Sequence, residues 1–412
     1  MAPAKALAPG PTRPDEARLA HFAALIPGFG GLSYGPDGEL LVYLTDLAQS
    51  KAAEAALAQL ADNSHAGGPK SGTITIRQGR YDFFQLQGWR DHLTDPLLNI
   101  PGVASLDLDE GENRLTVGLA DPSAQALAQE KLREFGIPLE AVAFVPMGYP
   151  DASAPVVSGP YLSLAPSQSS SLQGYHRPLV GGLQLGFHTS DLSPDSIYVC
   201  TLGFIAVRDG VKVAVTASHC SEKSWDLDNT SYFQNQPGVG RYIGFEYLDP
   251  NGHSCGFLSI NVCRNADAMA IDLDAEVEAN QGYIAKTTYG GFSTGSLIIN
   301  ETDSVFPITA TRVPLQGDSV GKVGRTTGWT TGKVADTCVD LAVDYRSHSK
   351  LRCQTYATFG KSGGDSGAPV FQENGDGTVA LVGLLWGEND TYAIFSSIEQ
   401  VEKDLGNLDF FA

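Results

Sequence analysis

A serine in Gly363-Gly364-Asp365-Ser366-Gly367-Ala368-Pro369-Val370 and a histidine in Thr216-Ala217-Ser218-His219-Cys220 are residue types that acyl transfer needs. A serine hydroxyl is a weak nucleophile at neutral pH, so it needs a base to take its proton and a third group to orient that base. His219 supplies the base. Between them lies Asn265-Ala266-Asp267-Ala268-Met269-Ala270-Ile271, an acid heading an alternating apolar run. Asp267 is the candidate orienting carboxylate, with Asp272 and Asp274 as competitors. Glycines around Ser366 relieve the backbone of Cβ clashes, so the N–H groups of Gly364 and Ser366 can face a developing oxyanion. Each segment alone has a plainer reading, since glycine, aspartate and serine favour turns and a histidine beside a cysteine is commonly a core residue. Their joint occurrence in the order His, Asp, Ser selects the catalytic reading.

These segments resemble the corresponding ones of chymotrypsin-like serine peptidases. Gly324-Arg325-Thr326-Thr327-Gly328-Trp329-Thr330-Thr331-Gly332 resembles the bacterial secreted branch that contains α-lytic protease and the streptogrisins. The resemblance covers about residues 176–412. It implies an all-β C-terminal domain of two antiparallel β-barrels with the active site in the cleft between them. It also implies a serine endopeptidase acting on proteins or peptides through His219, Asp267, Ser366 and an acyl-enzyme, with an oxyanion hole from Gly364 and Ser366. Asp365, buried beside the nucleophile, is expected to pair with Arg325. Leu385-Trp386-Gly387 resembles one wall of the family's specificity pocket, and Gly360 and Lys361 fall on the other. Because Gly360 stands where trypsin-like members carry a carboxylate, the resemblance implies an apolar P1 residue. Ala368 and Ser218 depart from the family's glycine and alanine, and no cysteine stands just before the Gly363-Gly364-Asp365-Ser366 segment; none of these changes removes a catalytic group. The competing function is a secreted binding or adhesion protein on a protease scaffold, which a fluorophosphonate would not label at Ser366.

All six cysteines lie beyond residue 199. They allow 15 connectivities, and pairing of sequence neighbours, Cys200 with Cys220, Cys255 with Cys263 and Cys338 with Cys353, suits short strand-rich loops. Disulfides persist in oxidising compartments, which points to a secreted protein. The first residues contain no apolar run of leader length, so a signal peptide is expected to have been removed. No cysteine spacing suggests zinc, and neither a metal nor a cofactor is expected. A net charge of −20 argues against nucleic acid as a partner. No run is long and apolar enough for a membrane span, and a soluble monomer is expected.

Residues 147–176 are rich in proline and serine and read as an exposed linker carrying a processing site, with cleavage expected between Ser167 and Val180. The alternative is a loop packed along the C-terminal domain, residues 177–412. Before the linker, residues 15–146 alternate helix-period and strand-period segments. Helices are expected over 15–26, 51–60, 81–93 and 123–135, and strands over 40–44, 73–76, 103–108, 114–119 and 142–145. The segments 36–46 and 111–121 repeat one another, and each leads into an alanine-rich helix, so two duplicated α+β lobes are expected. By pattern and position they resemble the pro-region of α-lytic-type proteases. That similarity implies a folding and inhibitory segment lying across the active-site cleft. His21, His65 and His92 are scattered and suggest no chemistry of their own.

Overall fold

The computed structural model describes residues 7–62, 72–152, 156–158, 169–190, 192, 196–238, 240–256, 261–343 and 348–411. Residues 153–155 and 159–168 of the linker, with the start of the expected cleavage segment, lie outside the described residues.

The N-terminal half is built twice on one plan. Helix Ala17–Leu25 leads to the antiparallel strands Phe29–Tyr34 and Leu40–Leu44; helix Ser50–Asp62 then returns the chain to Ile74–Gln78, parallel to Leu40–Leu44. The second lobe repeats this with helix Phe83–Leu98, strands Val103–Asp109 and Arg114–Leu119, helix Gln125–Glu134 and the parallel strand Val142–Pro146. The sequence repeat sits at matching points: Asp46 accepts from the Ala48 amide and Asp121 from the Ser123 amide, each just ahead of its helix. Leu86, Trp89, Leu93 and Leu106 are fully buried in the core the two lobes share.

Among the described residues, the C-terminal half is all β until the closing helix Ile398–Leu405. One sheet has eight strands, among them Val211–Thr216 paired antiparallel with Met269–Leu273. In the other sheet, Pro369–Glu373 lies between Ser319–Gly324 and Val379–Glu388. The three expected disulfides are formed, Cys200–Cys220, Cys255–Cys263 and Cys338–Cys353.

The second lobe does not stand apart. Its strand Val103–Asp109 pairs antiparallel with the long strand Gly328–Val343, setting Leu106 against Asp340 and Ser105 against Leu341, so one sheet runs through both halves. Asp340, fully buried, takes Arg13 and Thr94 from the N-terminal half at 2.7 and 2.8 Å. Lys350 and Arg352 reach back to Asp95. The described parts of the linker are packed against the C-terminal half as well. Asp151 exchanges two backbone hydrogen bonds with Glu388 (2.7 and 3.0 Å), and Val156–Ser158 pairs with Ser196–Thr201. Leu179–Gly181, at the end of the expected cleavage segment, is an internal buried strand whose Leu179 amide donates to the Glu278 carbonyl.

Candidate active site

His219 stands three residues past the strand Val211–Thr216, and Asp267 two residues before Met269–Leu273. Because these strands pair antiparallel with Thr216 opposite Met269, the end of one and the start of the other lie together. Register alone therefore brings His219 to Asp267. Asp267 Oδ1 accepts from the His219 amide at 3.1 Å and lies 3.2 Å from His219 Nδ1. Asp267 is fully buried and the His219 side chain is 5% exposed. The amide of Asp267 donates to Ser396 Oγ, which donates to Gln354 Oε1, the same atom that takes the indole N–H of Trp386.

Ser366 arrives from the other sheet, in the turn before Pro369–Glu373. Two tight contacts fix that turn. Gly367 has φ +87°, and a Cβ there would lie 2.2 Å from both the Thr201 carbonyl oxygen and Thr216 Oγ1, so the segment presses on the backbone leading to His219. The Ser366 carbonyl accepts from the Thr201 amide at 2.8 Å. Ser366 Oγ faces the Trp386 carbonyl oxygen at 3.5 Å, and His219 Nε2 is buried with no hydrogen-bond partner among the described residues. The structure thus joins His219 to Asp267 directly and packs the Ser366 turn against the strand end that leads to His219, with no hydrogen bond between Ser366 and His219 among the described residues. Such bonds are commonly long before substrate arrives. The amides of Gly364 and Ser366 donate to no group among the described residues. Gly364 has φ +89°, a conformation suited to its glycine.

The cation at Asp365 differs from the expected one. Lys322 Nζ lies 3.2 Å from Asp365 Oδ2 with both side chains buried, and the Asp365 carboxylate also takes the amides of Thr326 and Thr327 and the Thr327 hydroxyl. Arg325 instead donates to Gln184 Oε1 at 2.9 Å. The reason is position: Lys322 lies inside the strand next to the nucleophile segment, while Arg325 begins the turn that follows it. Burial pulls the Lys322 ammonium below its ordinary range, against the opposing pull of the Asp365 charge.

A small cleft of about 20 Å³ opens beside Ser366, lined by Lys361, Ser362, Gly363, Leu385, Gly387, Glu388 and Asp151. Of the expected pocket residues, Lys361, Leu385 and Gly387 line it. Gly360 does not; its amide donates to Phe292 and a Cβ there would strike the Ser293 carbonyl. The Trp386 indole turns into the core towards Gln354. Burial pushes the Glu388 carboxyl up, and the nearby Lys361 ammonium opposes it. Glu388, Asp151, Gln354, Ser396 and Lys322 carried no motif in the sequence, because each acts through a contact made only when distant strands meet.

Neither a protein-family profile nor a curated protein matches the chain. Solved structures do. Alpha-lytic protease homolog N4 is 16% identical, covering 56% of this chain and 98% of that one with a TM-score of 0.38. Thermobifida fusca protease A is 16% identical over 57% of this chain and 98% of its own, with a TM-score of 0.38, and Nocardiopsis protease 15% identical over the same shares, with a TM-score of 0.39. The chain resembles serine proteases of the α-lytic type. Identities this low say nothing of chemistry, which rests on the side chains just described.

Proposed function

We propose that this protein is a serine endopeptidase in which His219 takes the proton of Ser366 during attack on a peptide carbonyl and returns it to the leaving amine. Asp267 holds the imidazole by Nδ1 and stabilises its cation, and the amides of Gly364 and Ser366 receive the oxyanion. The observation that carries this reading is the His219–Asp267 contact, made twice to one buried oxygen, beside a serine in a glycine-bounded turn. Residues 15–146 act as a pro-region. Their strand pairing with Gly328–Val343, and the Asp151–Glu388 bridge at the rim of the cleft, support an inhibitory position for the N-terminal part and its linker. Leu385 and the glycine backbone of Gly363 and Gly387 are the apolar part of the cleft and support an apolar P1 side chain, beside the charges of Lys361, Glu388 and Asp151. Three disulfides support a secreted enzyme.

A panel of peptides varied at P1, assayed beside Ser366→Ala, tests the reading. Hydrolysis by the unaltered chain alone, fastest after an apolar residue, is expected; equal hydrolysis by both proteins would dismiss Ser366 as the nucleophile.

A further inference from the structure

Arg264 belongs to none of the catalytic roles, yet it touches the chain on both sides of the His219–Asp267 contact. Its side chain is 1% exposed. Nη1 donates to Asp249 Oδ1 at 2.7 Å and to Ser218 Oγ at 3.2 Å, Nη2 donates to the Ala268 carbonyl at 2.6 Å, and Nε reaches Asp404 Oδ2 at 3.3 Å. Ser218 immediately precedes His219, and Ala268 immediately follows Asp267. Asp404 lies in the closing helix and also accepts from the amides of Asn265 and Ala266, at 3.0 and 2.9 Å. Asp249 Oδ2 takes the Ser218 hydroxyl at 2.7 Å and the Trp225 amide at 3.0 Å, and the guanidinium faces the Trp225 ring at 5.6 Å.

Burying a guanidinium with two carboxylates carries a desolvation cost that well-packed apolar side chains would avoid. The arrangement yields a fixed distance between two loops. A planar fork with five N–H groups is the side chain able to grip Asp249, Ser218, Ala268 and Asp404 at once; a lysine ammonium has three donors and no plane. We propose that Asp249, Arg264 and Asp404 are positioning residues that set the His219–Asp267 hydrogen bond, with Ser218 as their contact to the histidine segment. The inference rests on the peptidase reading of His219, Asp267 and Ser366. Both contacts between His219 and Asp267 go to one oxygen, at 3.1 and 3.2 Å, so a shift of Ser218 against Ala268 disturbs both together. Ser218 also gains a role here that the alanine of the resembling family could not fill, because alanine has no hydroxyl to donate to Asp249.

The test measures fluorophosphonate labelling of Ser366 against probe concentration, on the purified chain, intact or self-processed, for the unaltered protein, Ser218→Ala and Asp404→Asn. The maximal labelling rate is expected to fall about tenfold in each variant while the half-saturating probe concentration stays within about twofold, as misplacement of a base requires. The His219 Nδ1 proton resonance is expected to move in both variants. Ser218→Ala removes one oxygen and opens no large void, so it decides the matter alone if Asp404→Asn does not fold. Unchanged rates and an unmoved resonance in folded Ser218→Ala would overturn the proposal. Failure of the unaltered chain to label is a different result: it would remove the peptidase reading and the network's catalytic role with it.

Discussion

At the scale of single residues, the account turns on two charged contacts inside the protein. Asp267 reaches His219 through Nδ1 and the backbone amide, so Asp267→Asn keeps the shape and presents the wrong hydrogen-bond partner to the imidazole. Peptidase activity in that variant is expected to fall by about 10⁴-fold, the loss known when a triad acid is neutralised, with KM nearly unchanged. Lys322 is the cation for buried Asp365. Lys322→Met leaves that carboxylate without its counter-charge and is expected to destabilise the fold by about 3–5 kcal/mol in denaturant unfolding. Arg325→Ala is expected to cost far less, since Arg325 hydrogen-bonds Gln184 and Thr326 and feels Asp365 only through its charge; a larger loss from Arg325→Ala would return the ion pair to the residue the family resemblance suggested.

At the scale of elements, the sequence was legible wherever a local pattern decides. The strand Leu40–Leu44 and the hairpin through 103–119 both follow from alternation, because their buried faces are written in adjacent residues. Phe29–Tyr34 was not foreseen: its two glycines give it little strand preference of its own, and it exists by pairing with Leu40–Leu44. The helix begun at Phe83 runs through Pro96 to Leu98, beyond its expected end at 93, because Leu97 and Leu98 are buried in the lobe core and the lost N–H falls in the last turns. In the site, the motifs exposed His219, Asp267 and Ser366. Lys322, Arg264 and Asp404 stayed hidden, since Arg264 and Asp404 are 140 residues apart and share no local signal. The contact that docks the lobes is of the same long-range kind. Asp340→Asn weakens the grip of Arg13, Thr94 and Arg352 together, so limited proteolysis is expected to release the N-terminal half of this variant several-fold faster than that of the unaltered chain. Equal release would place the docking energy in the strand pairing alone.

At the scale of the whole molecule, 47 acidic side chains against 27 basic ones leave a strongly acidic protein, and some of that acid is buried where the halves meet. Asp107, Asp109 and Glu110 from the second lobe lie beside Asp336 of the strand Gly328–Val343. Burial, and then mutual repulsion, pushes the Asp107 and Asp336 carboxyls up, Asp336 to about 7; burial raises Glu110 as well. Carboxyls raised on assembly stabilise it fully below the ordinary carboxylate range, and that contribution is lost as pH rises through about 7. Asp95 and Asp340 run the other way: the cations beside them hold both carboxyls below the ordinary range, so their contribution fails only in acid. The thermal midpoint of the Ser366→Ala chain is therefore expected to fall between about pH 5 and pH 8, and the fall to shrink in a variant that also carries Asp107→Asn and Asp336→Asn. An equal fall in both proteins would locate the effect elsewhere.

The most direct measurement is a time course of the full chain by intact mass beside Ser366→Ala, with fluorophosphonate added at each point. Cleavage between Ser167 and Val180 in the unaltered chain alone, with the label carried by the C-terminal fragment at Ser366, is the predicted result. An unaltered chain that neither cuts itself nor takes the label with its disulfides intact would contradict the assignment of Ser366 as a nucleophile.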